Sequence, residues 1–389
     1  MYRNSLIMLL LICIFTTGCW DQVDLNNTAI CSGIGVDLTE SDKIHFVAQF
    51  NKPINRQENT SSGESQFEVL SGVGESIAEA ARKITLSLPR VPLWSHGETF
   101  IIGEKLATKD LSVLLDFLYR NRKIRMSSFV FITQDASLEE VYNANCPLAL
   151  CSARGILKIV RWQEQQLGMY RPMLLNEFIV RAATPGIDPY APLIDVIEDL
   201  EGQKILTVNE IAIFRDKKMV GKLNPQECRG LFWLQDRKPG GLLVVTYPDS
   251  LQVKINLETK DFKTKVFPHI ENDKVTMFIR SEVEFNLLEV AGRLDERSTE
   301  FIKKVEKAAE EEIASQIRAA VVKGQKTKSD FLGFGRTIYR YEPDYWDRRK
   351  ADWSDLYPQI ALDIDIKVKL ANPYLINNEF LATHKELKP

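Results

Sequence analysis

Histidine is scarce in this chain, and no cysteine pair has the spacing of a metal or redox motif. The 389 residues hold four histidines, His45, His96, His269 and His384. None belongs to an HExxH pattern or stands at ligand spacing from another His or Cys, so no zinc-binding constellation is present. The six cysteines include no CxxC, which argues against zinc and thioredoxin-like chemistry. An excess of positive charge is missing as well: the formal net charge of −3 leaves no electrostatic footprint for nucleic acid. No apolar run approaches the about twenty residues that a membrane-spanning helix needs.

Nucleophile and phosphate motifs are equally thin. Gly74-Glu75-Ser76-Ile77-Ala78 is the nearest approach to GxSxG, and Ala78 breaks it. Ser76 instead stands where it would cap a helix start. Gly324-Gln325-Lys326-Thr327 has a Lys-Thr pair without the preceding glycine loop of a phosphate cradle. Gly33-Ile34-Gly35 lacks the third glycine of a dinucleotide fingerprint. His96-Gly97-Glu98 offers two polar residues on adjoining positions, which make no metal site, and His96 reads as a loop or packing residue. Asp363 and Asp365 lie about 6.6 Å apart by strand rise, a separation that suits a carboxylate pair. They share the polar face of an alternating strand with lysines, so a solvated face is expected there. No catalytic residue, cofactor or metal is assigned.

What is present begins at the N-terminus. Arg3 is the only charged side chain before Cys19, and Leu6 to Phe15 is an unbroken apolar run of about ten residues. That run suits a secretory segment and ends in Thr16-Thr17-Gly18-Cys19. The pattern resembles the lipobox of bacterial lipoproteins, with Thr16 where Leu is usual. Residues 1–18 are expected to be a signal peptide cut between Gly18 and Cys19, with lipid on Cys19. Two anchoring chains would hold the body stably at a membrane. Cys31, Cys146, Cys151 and Cys228 then remain; Cys146 and Cys151 could close a small loop, or all four could be buried thiols.

The remaining pattern predicts an α+β fold of mixed helices and largely antiparallel sheets. Strands are expected at 29–36, 43–50, 66–70, 98–102 and 127–133, with a polar loop at 51–64. Helices are expected at 74–88, around Leu111 to Leu118, after the capping box Ser137 to Glu140, and at 152–168. Ala182 to Leu193 carries Pro185, Gly186, Pro189 and Pro192 and reads as a linker. A hairpin at 208–223 and a helix at 225–234 follow, then a second boundary at 237–241. The last region predicts strands at 242–247, 251–257, 262–267 and 274–285, and a long helix at 296–323 with Gly324 just past its end. A strictly alternating strand follows at 360–370. A long helix covering the C-terminal sheet is the economical arrangement. Expected units are thus 19–190, 200–240 and 241–389.

Tyr339, Tyr341, Tyr345, Trp346, Trp353 and Tyr357 concentrate aromatic surface, which reads as core in preference to a binding platform. Arg336, Arg340, Arg348, Arg349 and Lys350 accompany them and could frame an acidic partner or be ordinary surface charge.

These residues together resemble a known family, the C-subunit lipoproteins of bacterial spore germinant receptors, Ger(x)C. The resemblance rests on Cys19-Trp20-Asp21 with Asp24-Leu25-Asn26, on Gly33-Ile34-Gly35-Val36-Asp37, and on Pro92 to His96 followed by Phe100 to Glu104. It continues through Ala212-Ile213-Phe214, Val220-Gly221, Gly230 to Trp233, and Asp330 with Gly333-Phe334-Gly335, then Tyr345-Trp346 and Trp353. It implies a three-domain, non-enzymatic lipoprotein on the outer face of the spore inner membrane. The implied partners are a membrane-embedded A subunit and a transporter-like B subunit, with the B subunit binding the nutrient, so direct small-molecule binding is not expected here. Two other functions are set against it. One is a lipid-anchored solute-binding protein hinged at Pro185–Pro192; the other is a surface hydrolase using Asp363 and Asp365.

Overall fold

The structure, a computed structural model, describes residues 24–52, 66–146, 148–235, 240–292 and 298–371. The signal segment, Cys19, most of the polar loop expected at 51–64, part of the 237–241 boundary and His384 lie outside the described residues.

Hydrophobic alternation and short apolar runs produce ten strands among the described residues before 224. They are β1 (Thr28–Leu38), β2 (Ile44–Asn51), β3 (Phe67–Gly74), β4 (Val91–Leu93), β5 (Thr99–Ile102), β6 (Phe129–Thr133), β7 (Met173–Leu174), β8 (Tyr190–Glu198), β9 (Lys204–Arg215) and β10 (Lys218–Leu223). They form one sheet in the order β10-β9-β8-β6-β5-β1-β2-β3, with β4 on β1 and β7 on β6. Pairings among β8, β6, β5 and β1 are parallel, and the outer hairpins are antiparallel. Parallel neighbours need crossovers, which helices Ser112–Arg120 and Ser152–Gln166 help supply. The central strands β5 and β6 are almost wholly buried, as a sheet covered on both faces requires.

Local chemistry fixes the helix starts. Ser76 accepts from the Glu79 amide, and Ser137 with Glu140 forms the expected capping box. A second box, Asn224 with Glu227, opens helix Pro225–Trp233, with Pro225 at the first position. Gly33 and Gly35 serve packing: a Cβ on Gly33 would lie 2.7 Å from Tyr142, and one on Gly35 2.9 Å from Leu138.

The C-terminal sheet runs β11 (Leu242–Tyr247), β12 (Ser250–Glu271), β13 (Lys274–Ala291) and β14 (Ala361–Ala371). Helix Thr299–Thr327 lies on one face, its buried stripe running from Phe301 through Val305, Ala309, Ile313 and Ile317 to Val321. Strand β14 alternates as expected, and it runs parallel to β13 because the long helix and the short helices after it carry the chain back across the sheet. The outer amides of Val368 and Leu370 donate to Glu310 and Glu306 of that helix, which blunts part of the sheet edge.

Several expectations change. The linker expected at 182–193 is the end of helix Leu175–Ala183, a short turn, and the start of β8. Pro192 is tolerated because pairing with β6 begins only at Leu193. Residues 204–223 of the unit expected at 200–240 therefore share a sheet with the residues before 190. The strands expected at 251–257 and 262–267 are one strand: the polar run Glu258 to Asp261 makes a register shift at Thr259/Asp261, not a turn. Gly324 is helical. The helix ends at Thr327 with Lys328 left-handed, and a Cβ at 324 would collide with the Tyr357 hydroxyl.

Candidate functional site

The residues that chemistry would have used do not assemble. Cys19 and Gly18 lie outside the described residues. His96 sits exposed in a single turn, Trp94–His96, and Glu98 pairs with Arg154 at 3.1 Å. Asp363 and Asp365 are exposed and share one cation, Arg280, at 2.9 and 3.8 Å. Among the described residues no group of three His, Cys, Asp or Glu side chains could hold a metal. Cys31, Cys146, Cys151 and Cys228 are all free thiols, with Cys146 the least buried. Burial pushes the Cys31 and Cys228 thiols far up, so neither is poised as a nucleophile.

The motif Asp330, Gly333-Phe334-Gly335 has a structural address instead. Helix Phe334–Tyr341 begins within it, with Gly333 as its N-cap, and the first amides of a helix have no partner in the helix itself. The Asp330 carboxylate takes them. Its Oδ1 accepts from the Gly333 and Phe334 amides at 2.8 Å each, and its Oδ2 from the Gly335 amide at 2.8 Å and the Trp353 indole at 3.1 Å. Four donors on one buried carboxylate leave it no freedom to act as an acid or base on a substrate. Its backbone is exchanged with Asp188: the Asp330 amide donates to Asp188 Oδ2 at 2.7 Å, and the Asp188 amide to the Asp330 carbonyl at 2.9 Å.

The rest of the seam is built to the same plan. The Ser329 hydroxyl donates to the Phe214 carbonyl at 2.6 Å, Arg181 to the Phe331 carbonyl at 3.1 Å, and the Arg336 amide to the Gly186 carbonyl at 2.9 Å. Gly186 has φ +80°, and a Cβ there would strike the Trp346 ring; a Cβ on Gly335 would lie 2.6 Å from the Gly186 Cα. Both positions need glycine because two backbones and an indole meet at contact distance. The Pro185–Pro192 segment, which solute capture would use as a hinge, is thus bonded to residues some 140 positions away.

Burial dominates the electrostatics of this pair. It pushes the Asp330 carboxyl up to about 8, against the pull of the Gly335 and Phe334 amides. It raises Asp188 to about 6, against the Asp330 amide. The aromatic run divides: Tyr345, Trp346, Trp353 and Tyr357 are buried around the seam, whereas Tyr339 and Tyr341 are about half exposed. Sequence reading found the Asp330 motif but not its partner Asp188, since no local signal links positions so far apart.

Comparison with known proteins places this architecture. A family model described as the spore germination protein N-terminal domain matches residues 21–196, and one described as spore germination B3/GerAC like, C-terminal, matches residues 209–374. Among curated proteins, the Bacillus subtilis spore germination protein KC is 25% identical over 98% of both chains. Spore germination protein B3 of the same organism is 24% identical over 94% of this chain and 95% of its own. The crystal structure of the GerBC protein has the same fold, with a TM-score of 0.58 at 20% identity, over 87% of this chain and 97% of that one. None of the matched families is an enzyme family. With two family models covering its body and relatives matching it nearly end to end, the chain belongs to the Ger(x)C family of spore germination proteins.

Proposed function

We propose that this protein is the non-enzymatic, lipid-anchored C subunit of a nutrient germinant receptor. It would sit on the outer face of the spore inner membrane and act with membrane-embedded A and B subunits. The observation that carries the reading is the near end-to-end match to proteins named for spore germination, in a chain whose N-terminus has a lipobox-like Thr16-Thr17-Gly18-Cys19. The engagement of its most distinctive acid, Asp330, by four structural donors supports a non-catalytic role.

In this reading lipid on Cys19 confines the body to the membrane plane. Confinement raises its effective concentration near the partner subunits without any new contact. Cys19→Ala is expected to give a folded protein that is lost from the membrane fraction, with nutrient-triggered germination impaired. Fractionation and germination assays on the same spores test this, and normal germination by that variant would overturn the tether.

A further inference from the structure

Of the basic run that begins at Arg336, exposed Arg348 has no carboxylate partner among the described residues, and the other four divide in two. Arg349 and Lys350 are neutralised: Arg349 approaches Asp273 and Asp352 at 3.6 Å each, and Lys350 approaches Asp347 at 2.9 Å. Arg336 and Arg340 are not. They line a cleft of about 280 Å³ with Arg171 and Arg181, which reach it from either side of the start and end of helix Leu175–Ala183. Thr264 of β12 closes part of the wall, so the cleft lies where the two sheets meet.

The charges around this cleft do not balance. Four guanidinium groups line it, and among the described residues the one carboxylate paired with any of them is Glu177, 3.4 Å from Arg171 and 3.6 Å from Arg181; Arg171 also donates to Gln235 Oε1 and Arg181 to the Phe331 carbonyl. Arg336 and Arg340 have no acidic partner among the described residues. Arg171 and Arg181 are only 15% and 17% exposed, and the buried Arg171 Nε–H has no acceptor. A neighbouring cleft of about 380 Å³ makes the contrast, because there Asp188, Asp216 and Asp330 stand against Arg181, Arg215, Lys328 and Lys350.

Like charges gathered in a partly dehydrated cavity repel, and the fold tolerates them best when an anion lies between them. Guanidinium groups present planar forks that match the two oxygens of a carboxylate or phosphate. The volume is small for a ligand pocket, which suits a small ion in preference to a larger organic ligand. We propose that this cleft binds a small oxyanion of the phosphate or carboxylate class. The anion would bridge the two halves of the molecule, since Arg171 and Arg181 belong to one and Arg336 and Arg340 to the other.

The test uses the mature full-length protein, with inorganic phosphate and succinate as probes and sodium chloride at matched ionic strength as the control. Calorimetry is expected to show saturable binding of at least one probe. Binding should weaken by about tenfold or more in R336A/R340A, two exposed substitutions that each remove a charge-assisted contact. The bound probe should also raise the melting temperature of the wild type and not of the variant. R340Q alone gives the same readout if the double variant does not fold. Phosphate binding without succinate assigns the phosphate class, and the reverse assigns the carboxylate class. No saturable binding of either probe, or equal binding by wild type and variant, would overturn the proposal.

Discussion

The two sheets of this protein bury themselves in different ways. The ten-stranded sheet is packed on both faces, and its central strands β5 and β6 are almost continuous apolar runs. Among the described residues the four-stranded sheet is covered on one face by helix Thr299–Thr327 and open on the other. Along that open face Phe267 stacks on Phe278 at 5.5 Å, Arg280 lies over the Phe278 ring at 4.9 Å, and Asp363 and Asp365 share Arg280. Equal chemistry should therefore cost unequal amounts in the two sheets.

The largest contrast is between two phenylalanines. Phe131 is fully buried in β6, and Phe131→Ala should cost about 3–5 kcal/mol through lost burial and a cavity. Phe278, half-buried on the open face, should lose about 1 kcal/mol or less as Phe278→Ala. Denaturant unfolding of both variants measures the difference, and equal losses would mean that the open face is covered by something in the folded chain.

Next comes the seam joining the sheets. Asp330→Asn keeps the shape but offers one oxygen where two accept, and turns an NH₂ toward amide or indole donors. A loss of about 2–4 kcal/mol is expected by the same measurement. A loss below about 1 kcal/mol would show that the four donors find other acceptors.

The same seam sets a pH dependence. Asp330 and Asp188 rise in the folded protein to about 8 and about 6 from 3.8. A carboxyl raised on folding contributes stability that is full below its unfolded value and is lost as pH rises through its folded value. His45, raised by its hydrogen bond to Glu139, acts in the same direction. Stability should therefore fall between about pH 5 and pH 8, by at most about 5 kcal/mol at about 1.4 kcal/mol per pH unit for each group, and Asp188→Asn should flatten the slope below about pH 6. A melting temperature that rises across that interval would contradict the burial of the pair.

The smallest effect returns to the open face. Asp363→Asn with Asp365→Asn should change stability by less than about 1 kcal/mol, as expected of exposed ion pairs. Germination should also proceed normally in spores carrying both changes, and a loss there would revive the hydrolase reading.

The same contrast explains what the sequence made legible. On the one-faced sheet the alternation from Ile360 to Leu370 and the helical stripe from Phe301 to Val321 expose the design directly, because local period reports local burial. Capping boxes are local as well, and Ser137 with Glu140 was readable for that reason. On the two-faced sheet, β8 hides behind prolines whose missing donors matter little at the start of a strand. The Asp188–Asp330 exchange and the arginine cleft join residues separated by more than a hundred positions. No periodicity carries that information, so the motif around Asp330 could be recognised without its purpose being seen.

The receptor-subunit reading is tested most directly by purification from spores. The chain would be tagged, spore membranes solubilised in mild detergent, and the co-purifying proteins identified. The account predicts recovery of a transporter-like protein together with a second multi-span membrane protein. Recovery of the chain alone, under conditions in which known membrane complexes survive, would contradict it.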